Sequence, residues 1–418
     1  MGYVAVSGGK QAIDASLELL DLERLASGRS IEPQLVLDTL PELVEQVEGE
    51  GSLWAPEVAA IAVKQARGSV EEAVFLVRAY RSTLERLYTS RVIDTGDMQV
   101  DRRISAAFKD VPGGQILGAT RDYSHRLIDF DLAEEDNAVA RERLRELDAA
   151  IEEAVEAGQA AAGSQAGAPE DLAAVPRVLD YLRHIRMVPE YPVDDTEPVD
   201  ITKTPLSFPA ARSVILQALS RGLTQAVVAI GYAAIRGFGV SHPTVGELRR
   251  GTVPVEIDAP GALDADADDA YYLGSIPVTE VESLIVADVE ENGEHRSALD
   301  VGYGCVMGSN ESKAIAMSVL DHSLRQDDVR YPTQDQEFVL YHIDSVEATG
   351  FISHLKLPHY VTFQSKLDSA LRSMRTEAVG GDDAATEADE AAGDPDAPAT
   401  DVAPAVRSAT EKGGEADA

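Results

Sequence analysis

The sequence of 418 residues contains one cysteine, Cys305, and eight lysines. A single cysteine excludes disulfide bonds within the chain and indicates a reducing compartment. It also excludes a self-contained iron–sulfur cluster, because such a cluster takes several thiolate ligands.

Long apolar runs and clusters of basic residues are missing as well. No apolar run approaches the ~20 residues that cross a bilayer, and Met1–Ser7 lacks the charged-then-apolar pattern of a signal peptide. We therefore expect a cytoplasmic protein that does not span a membrane. No basic run stands out to meet the phosphates of DNA or RNA, so we expect no nucleic-acid partner.

Acidic side chains are in large excess, with 73 Asp and Glu against 36 Lys and Arg and a formal net charge of −37. A diffuse acidic surface with little lysine keeps proteins soluble in concentrated salt, where charges are screened over short distances. We interpret the composition as a halophilic adaptation and draw no function from it.

The hydrophobic periodicity predicts an α+β fold in four parts. Residues 1–131 are expected to form a mainly helical domain with an Arg/Gly-rich loop, and residues 132–199 a charged helix and linker insertion. Residues 200–375 are expected to form a domain of helices and strands that carries a histidine-containing loop. Residues 376–418 are rich in Ala, Asp, Glu, Gly and Pro and are predicted to be a disordered acidic tail.

Four runs in the third part predict strands. Three of them alternate apolar and polar residues, and the fourth contains glycines suited to a close approach by a neighbouring element. They are Val253–Ile257, Ala270–Val278, Glu282–Asp288 and Asp300–Gly308. Ser309 then predicts the N-cap of a helix from Asn310 to Arg325.

Two segments combine basic residues with glycines. Gly8-Gly9-Lys10 precedes a predicted helix and is either an anion site or an ordinary turn. The segment from Arg102 to Gln115 offers arginines that can grip phosphate and glycines that admit close approach of a ligand. The alternative is a Pro-Gly turn flanked by surface arginines, paired with one of three aspartates. These are Asp101, Asp110 and Asp129.

The segment Gly350–Phe363 carries His354 and His359 on either side of Pro358. The spacing and the proline predict a bent loop or strand end rather than a helix. Two imidazoles on such a bend can bind one metal ion, or they can be packed or exposed without metal. Because zinc usually takes four ligands, a metal here needs further ligands from the chain, from water or from a partner.

Nine short runs, in this order across residues 1–375, together resemble one family. They are Tyr3-Val-Ala-Val6, Phe75-Leu-Val-Arg-Ala-Tyr-Arg81, Arg102-Arg-Ile-Ser105, Lys109-Asp-Val-Pro-Gly-Gly-Gln115, Asp122-Tyr-Ser-His-Arg-Leu127, Arg236-Gly-Phe-Gly239, His242-Pro243, Gly302-Tyr-Gly304 and Ser353-His-Leu-Lys-Leu-Pro-His-Tyr-Val361. The chain is identified by them as similar to subunit I of the carbon–phosphorus lyase core complex, the PhnI family.

The resemblance implies a subunit of the system by which cells use phosphonates. With partner subunits, such proteins transfer ribose 5-triphosphate from ATP to methylphosphonate and release adenine. The resemblance implies that this subunit carries the purine nucleosidase step, on ATP or GTP. It also implies other core subunits as partners, among them the radical S-adenosylmethionine subunit, and two copies of this chain in the complex. The alternative is a non-catalytic scaffold subunit.

The implied chemistry requires particular residue types. Displacement of adenine passes through a cation-like anomeric carbon, and needs an acid near the base, carboxylates near the ribose and cations near the phosphates. The catalytic candidates are Asp110, His125, His242 and Glu247. The candidates for nucleotide binding are Lys10, Arg102, Arg103, Lys109, Gly113, Gly114 and Arg212. The resemblance further implies that His354 and His359 hold zinc where this subunit meets the radical subunit.

Overall fold

A computed structural model of the chain describes residues 9–156, 176–189, 196–238, 242–259, 270–291, 294–326 and 328–379. The chain divides into two units, Met1–Leu357 and Pro358–Ala418. In the second unit the described residues form one helix, α13 (Tyr360–Val379).

The described residues of the first unit form twelve α-helices and one four-stranded antiparallel sheet, which confirms the predicted α+β class. The helices are α1 (Gly9–Leu25), α2 (Pro33–Thr39), α3 (Pro41–Gly51), α4 (Pro56–Gln65), α5 (Val70–Arg81), α6 (Asn137–Glu156), α7 (Val178–His184), α8 (Arg212–Arg221), α9 (Thr224–Tyr232), α10 (Glu311–Leu324), α11 (Gln336–His342) and α12 (Ser345–His354). The strands are β1 (Gln99–Ile104), β2 (Thr244–Asp258), β3 (Ala270–Glu291) and β4 (Glu294–Met307), in that spatial order.

Helices α2 to α5 pack around a small core of valine and alanine side chains, among them Val47 and Val74. Each of α2, α3 and α4 begins with a proline, which has no N–H to leave unbonded at a helix start. Helix α5 begins after Ser69, whose hydroxyl accepts a hydrogen bond from the backbone N–H of Glu72. These residues fix where the four helices of the bundle begin.

The sheet differs from the prediction in two ways. The runs Ala270–Val278 and Glu282–Asp288 belong to a single long strand, β3, which pairs with both β2 and β4. The arginine pair Arg102-Arg103, predicted to lie in a loop, lies in β1. This strand falls in the first predicted part of the chain and pairs with β2, which falls in the third.

Helix α10 packs directly on β4, as the glycines of that strand predicted. A Cβ atom added at Gly302 would lie 2.0 Å from the carbonyl oxygen of Ser318, and one added at Gly304 would lie 2.0 Å from that of Ala314. The main core lies between α8 to α11 and this face of the sheet. The N-cap is Asn310 rather than Ser309, because the Asn310 side chain accepts the backbone N–H of Lys313.

The histidine segment is more helical than predicted. Residues Gly350–His354 complete α12, and Tyr360–Phe363 begin α13, so the prediction of a bent loop or strand end was wrong for both stretches. Of the predicted acidic tail, residues 376–379 belong to α13, and residues 380–418 lie outside the described residues.

In the described ranges no single helix is both long and apolar enough to cross a bilayer. The pair Arg212–Arg221 and Thr224–Gly237 satisfies that length and composition test only when taken together, and it is bent by 118°.

Candidate functional site

A polar cleft of about 650 Å³ lies between α3, the loop around Arg121 and the first turn of α10. We call it the α10 cleft. Its volume is typical of small-molecule sites in proteins. Its lining includes the cationic side chains of Arg121, Arg126 and Arg250 and the carboxylates of Glu45, Asp122 and Glu311.

The floor of the cleft is a nearly buried ion pair. The Nε of Arg102 on β1 donates to Glu311 on α10 at 2.6 Å, and its Nη2 donates to the other oxygen at 3.3 Å. Arg250 on β2 approaches the same carboxylate at 3.7 Å. The Glu311 side chain remains 15% exposed, so it is held in place and still faces the cleft. Although burial opposes it, hydrogen bonding to Glu311 raises the pKa of Arg102 above its ordinary value.

The rim of the cleft carries two exposed ion pairs. Arg121 contacts Glu42 at 2.5 Å, and Arg126 donates to Asp122 at 2.6 Å. All four side chains are more than half exposed. Since exposed pairs contribute only ~0–1 kcal/mol, a phosphate group can replace these carboxylates at little cost.

The wall beside α10 is built from side-chain hydrogen bonds. The carboxylate of Glu45 accepts the backbone N–H of Ser309 at 2.9 Å and its hydroxyl at 2.5 Å. The side-chain amide of Asn310 donates to the hydroxyl of Thr224 at 3.0 Å. This wall surrounds the N-terminus of a helix of 14 residues, where the helix dipole favours an anion.

The opposite face of the sheet holds Arg103, because neighbouring residues of a strand point to opposite faces. Arg103 is buried and pairs with buried Glu247 at 2.5 Å. Its Nη1 also donates to the carbonyl oxygens of Pro112 at 2.6 Å and Gly114 at 3.3 Å. Gly113 and Gly114 have φ of 81° and 78°, the left-handed conformation that glycine adopts readily, and this turn presents carbonyls to Arg103.

The alternative prediction, in which surface arginines pair with Asp101, Asp110 or Asp129, was wrong for Arg102 and Arg103. Both arginines are 1–2% exposed, and their carboxylate partners are Glu311 and Glu247. Charged side chains that are this deeply buried require such partners.

Beside Arg103 lies a cluster of buried charges on β2, β3 and β4. Glu280 accepts hydrogen bonds from Arg249 at 2.9 Å and from the hydroxyl of Tyr303 at 3.1 Å. Arg177, which precedes α7, lies 3.2 Å from Glu280 and 3.3 Å from Glu282. We call these five residues the Glu280 cluster. It fastens α7 to the sheet.

Burial shifts the pKa values in and beside this cluster. Burial and the adjacent Glu280 carboxylate raise the pKa of Glu282 to about 7. Burial and the same carboxylate raise the pKa of Cys305 to about 11. Because only the thiolate is a strong nucleophile, Cys305 is unsuited to nucleophilic chemistry near neutral pH.

The structure places the other predicted site residues outside the α10 cleft, with one at its edge. His125 is exposed and lies between Ser124 and Arg126, which both line the cleft. Arg212 donates to buried Asp321 at 2.7 Å, near the C-terminal end of α10. Three more are exposed in the loop after β1 or before β2: Lys109, Asp110 and His242. Lys10 is exposed on α1.

The two histidines end one element and precede the next. His354 is the last residue of α12, and His359 lies just before α13; both are partly buried. Among the residues that the structure describes, no group of three or more His, Cys, Asp or Glu side chains is placed to hold a metal ion. Imidazole is nevertheless a common zinc ligand, so the donor type fits while the number of donors does not.

A larger groove of about 960 Å³ lies between α1 and α4–α5. Apolar side chains dominate its lining, among them Leu17, Leu20, Ile61 and Leu76. We favour the smaller α10 cleft as the site for a polyanion, because it combines arginines with a helix N-terminus.

The sequence did not indicate the cleft residues whose partners lie far away along the chain. Glu311 is 209 residues from Arg102 in the chain, and Glu45 is 264 residues from Ser309. Arg121 stands one residue before the recognised run that starts at Asp122. That proximity was the one signal that pointed to it.

Comparison with known proteins defines the class. The family described as "Bacterial phosphonate metabolism protein (PhnI)" matches residues 2–378, and the chain belongs to this family. The resemblance drawn from the short runs is thereby confirmed.

Two curated relatives carry the same name, "Alpha-D-ribose 1-methylphosphonate 5-triphosphate synthase subunit PhnI". The chain is 40% identical to the protein of Rhizobium meliloti (strain 1021) over 405 residues, covering 93% of this chain and 100% of the relative. It is 38% identical to the protein of Escherichia coli (strain K12) over 389 residues, covering 90% of this chain and 100% of the relative.

Proposed function

We propose that this chain is a subunit of an α-D-ribose 1-methylphosphonate 5-triphosphate synthase and that the α10 cleft holds the nucleoside triphosphate. In the reaction, the bond between the anomeric carbon and adenine breaks. A bond from a methylphosphonate oxygen to that carbon forms, and the leaving adenine takes a proton. The names of the relatives and the family membership support the reaction.

The observation that carries the assignment is the arrangement of cations at the cleft rim. Arg121 and Arg126 are exposed and lie close to the N-terminus of α10, and the ion pairs they form with described residues are to exposed carboxylates. Arginine binds phosphate oxygens with two parallel hydrogen bonds. A triphosphate therefore replaces weak surface pairs with stronger charge-assisted ones.

Glu311 is the carboxylate best placed to act at the ribose. Arg102 holds it in two hydrogen bonds, and the first turn of α10 favours its negative charge. A fixed carboxylate stabilises positive charge that develops at the anomeric carbon, because it needs no reorganisation during the reaction.

His125 is our candidate for the acid that protonates adenine. It lies between two residues of the cleft lining and is exposed, so it can reach a ligand. Imidazole is the side chain that most often serves as a general acid or base in enzymes.

Zinc is proposed as a cofactor at an interface between subunits. His354 and His359 would supply two imidazoles, and the remaining ligands would come from a partner or from water. The ion would cross-link subunits, and no step at the ribose depends on it. The partners we propose are the other core subunits, including the radical S-adenosylmethionine subunit, with two copies of this chain. Metal analysis of the assembled complex tests this: zinc content that is undiminished in a His354→Ala, His359→Ala variant contradicts it.

A scaffold role without catalysis is the second candidate, and one observation favours it. Helix α1 contains no buried residue, yet it exposes several large apolar side chains, as a surface that docks on a partner does. These are Ile13, Leu17, Leu19, Leu20, Leu22 and Leu25.

Substitution at the rim tests the nucleotide site. The double variant Arg121→Ala, Arg126→Ala is expected to weaken ATP binding by about tenfold or more, because the loss of even one charge-assisted contact costs about 1.5–3 kcal/mol. The matched control is Arg143→Ala, Arg145→Ala, which removes two exposed arginines from α6. Equal ATP affinity of the two double variants, measured by calorimetry, contradicts the assignment.

A further inference from the structure

A buried carboxylate lies directly behind the polar wall of the α10 cleft. Glu50 on α3 is fully buried. Its Oε1 accepts the side-chain amide of Gln46 at 2.9 Å, the backbone N–H of Thr224 at 2.9 Å and the hydroxyl of Thr224 at 2.8 Å. Since Gln46 and Thr224 both line the cleft, one carboxylate oxygen holds two of its lining residues.

The hydrogen bonds continue in one direction from the cleft to Glu50. The Thr224 hydroxyl donates its one proton to Glu50, so on its other side it can only accept a hydrogen bond. The donor on that side is the amide of Asn310, at 3.0 Å. The Oδ1 of Asn310 accepts the backbone N–H of Lys313 at 3.1 Å, which fixes the amide in this orientation. One of the two N–H groups of the Asn310 amide then remains to meet a ligand in the cleft.

Lys313 supplies the charge that balances Glu50. Its ammonium group is 3.9 Å from the Oε1 of Glu50 and donates to the carbonyl of Ser220 at 2.7 Å. Arg78 on α5 also faces this region, but its guanidinium is bound by both oxygens of Asp344. The Oε2 of Glu50 is buried and accepts no hydrogen bond from the residues described. A buried ion pair of this kind contributes little to the free energy of folding, so we look for its role in the side chains that it orients.

We propose that Glu50, backed by Lys313, is a positioning residue of the α10 cleft. It orients Gln46 and Thr224, and through Thr224 it orients the Asn310 amide, so that these groups meet a bound nucleoside triphosphate without rearrangement. Preorganised polar groups bind more tightly because the cost of ordering them is met during folding. The inference rests on the proposed function, since it assumes that the cleft binds the nucleotide.

A matched pair of variants at Thr224 tests the relay. Thr224→Val keeps the shape and removes the hydroxyl, whereas Thr224→Ser keeps the hydroxyl. With the full-length chain and ATP, Thr224→Val is expected to raise the Kd about tenfold. The Asn310 amide is then no longer oriented toward the nucleotide, and the loss of one hydrogen bond to a charged group has about this effect. Thr224→Ser is expected to stay within about twofold of the unmodified chain. Equal Kd values for the two variants, or losses of affinity that simply follow the losses of Tm, overturn the proposal.

A second measurement tests whether Glu50 acts on ATP binding through Thr224 and not only through the stability of the fold. In a Glu50→Leu chain, Thr224→Val should cause no further loss of ATP affinity, because both changes interrupt the same relay. Additive losses contradict the relay. If Glu50→Leu does not fold, the Thr224 pair decides alone.

The variant Arg121→Ala, Arg126→Ala distinguishes a failure of the positioning role from a failure of the cleft assignment. If Arg121→Ala, Arg126→Ala weakens ATP binding but both Thr224 variants bind like the unmodified chain, the positioning role is wrong and the cleft assignment stands. If the rim variant binds ATP unchanged, the assignment fails and the positioning role fails with it.

Discussion

The buried carboxylate Glu282 makes the stability of this chain depend on pH in a predictable direction. Burial and the Glu280 carboxylate raise its pKa from 4.5 to about 7, and the opposing attraction of Arg177 is smaller. A rise of about 2.5 pKa units, at about 1.36 kcal/mol each, corresponds to about 3 kcal/mol. The folded chain keeps this proton to higher pH than the unfolded chain. The contribution is therefore fully present below pH 4.5 and is lost as the pH rises through 7.

The variant Glu282→Gln imitates the protonated side chain and does not titrate. Between pH 4.5 and pH 7.5 the free energy of unfolding of the unmodified chain should fall by about 3 kcal/mol relative to this variant. Urea unfolding of both proteins at several pH values measures the difference, and Glu153→Gln, at an exposed position on α6, controls for the loss of one carboxylate. A difference that does not change with pH refutes the reasoning. A difference of opposite sign shows that Arg177 outweighs burial.

Three further predictions concern the fold around the site. Gly304→Ala should prevent α10 from packing closely on β4, since its Cβ would lie 2.0 Å from the carbonyl oxygen of Ala314. The free energy of unfolding, measured with heat or urea, should fall by several kcal/mol. A change below about 1 kcal/mol contradicts this packing. Ser69→Ala should cost about 1 kcal/mol through loss of the α5 cap, while Ser69→Asp, which can still accept the N–H, should cost less in the same assay. Arg103→Met alone should cost about 3–5 kcal/mol, because the Glu247 carboxylate then stays buried without its guanidinium partner and, among the described residues, keeps only the backbone N–H of Val178 as a donor. Adding Glu247→Leu should recover part of the loss, and equal stability of the single and double variants in urea contradicts the pairing.

The arginine pair shows how far the sequence could lead. Its basic and glycine-rich surroundings marked Arg102 and Arg103 as candidates, and both lie at buried ion pairs. The sequence does not show that their side chains lie on opposite faces of a sheet, because its pattern does not predict strand β1. A register shift between Val100 and Arg102 interrupts the alternation that identifies short strands.

The close-packed helix was predicted well because its signals are local. The glycines of β4 and the apolar positions of α10 lie within one stretch of chain, and strand and helix meet as expected. The partners of the buried charges are the opposite case. Arg103 and Glu247 are 144 residues apart, and no local pattern relates them.

The histidine segment shows where a local rule was misapplied. The prediction extends the effect of Pro358 across the whole segment, yet Pro358 lies after the end of α12 at His354 and before the start of α13 at Tyr360. Helix α12 starts at an Asp344 cap, which accepts the backbone N–H groups of Val346 and Glu347. A proline blocks helix at its own position and the residue before it, and it permits helices on either side.

The most direct test of the account is whether this chain breaks the glycosidic bond of ATP. Purified full-length chain incubated with ATP, with water taking the place of methylphosphonate at the anomeric carbon, should release adenine, measured by chromatography. The rate should fall at least about tenfold in Arg121→Ala, Arg126→Ala. The control variant Arg143→Ala, Arg145→Ala should release adenine at the unmodified rate. Two results contradict the claim that the α10 cleft is the nucleotide site. In the first, the rim substitutions leave the rate of adenine release unchanged. In the second, adenine is released only when another subunit is added, and the rate does not depend on these arginines.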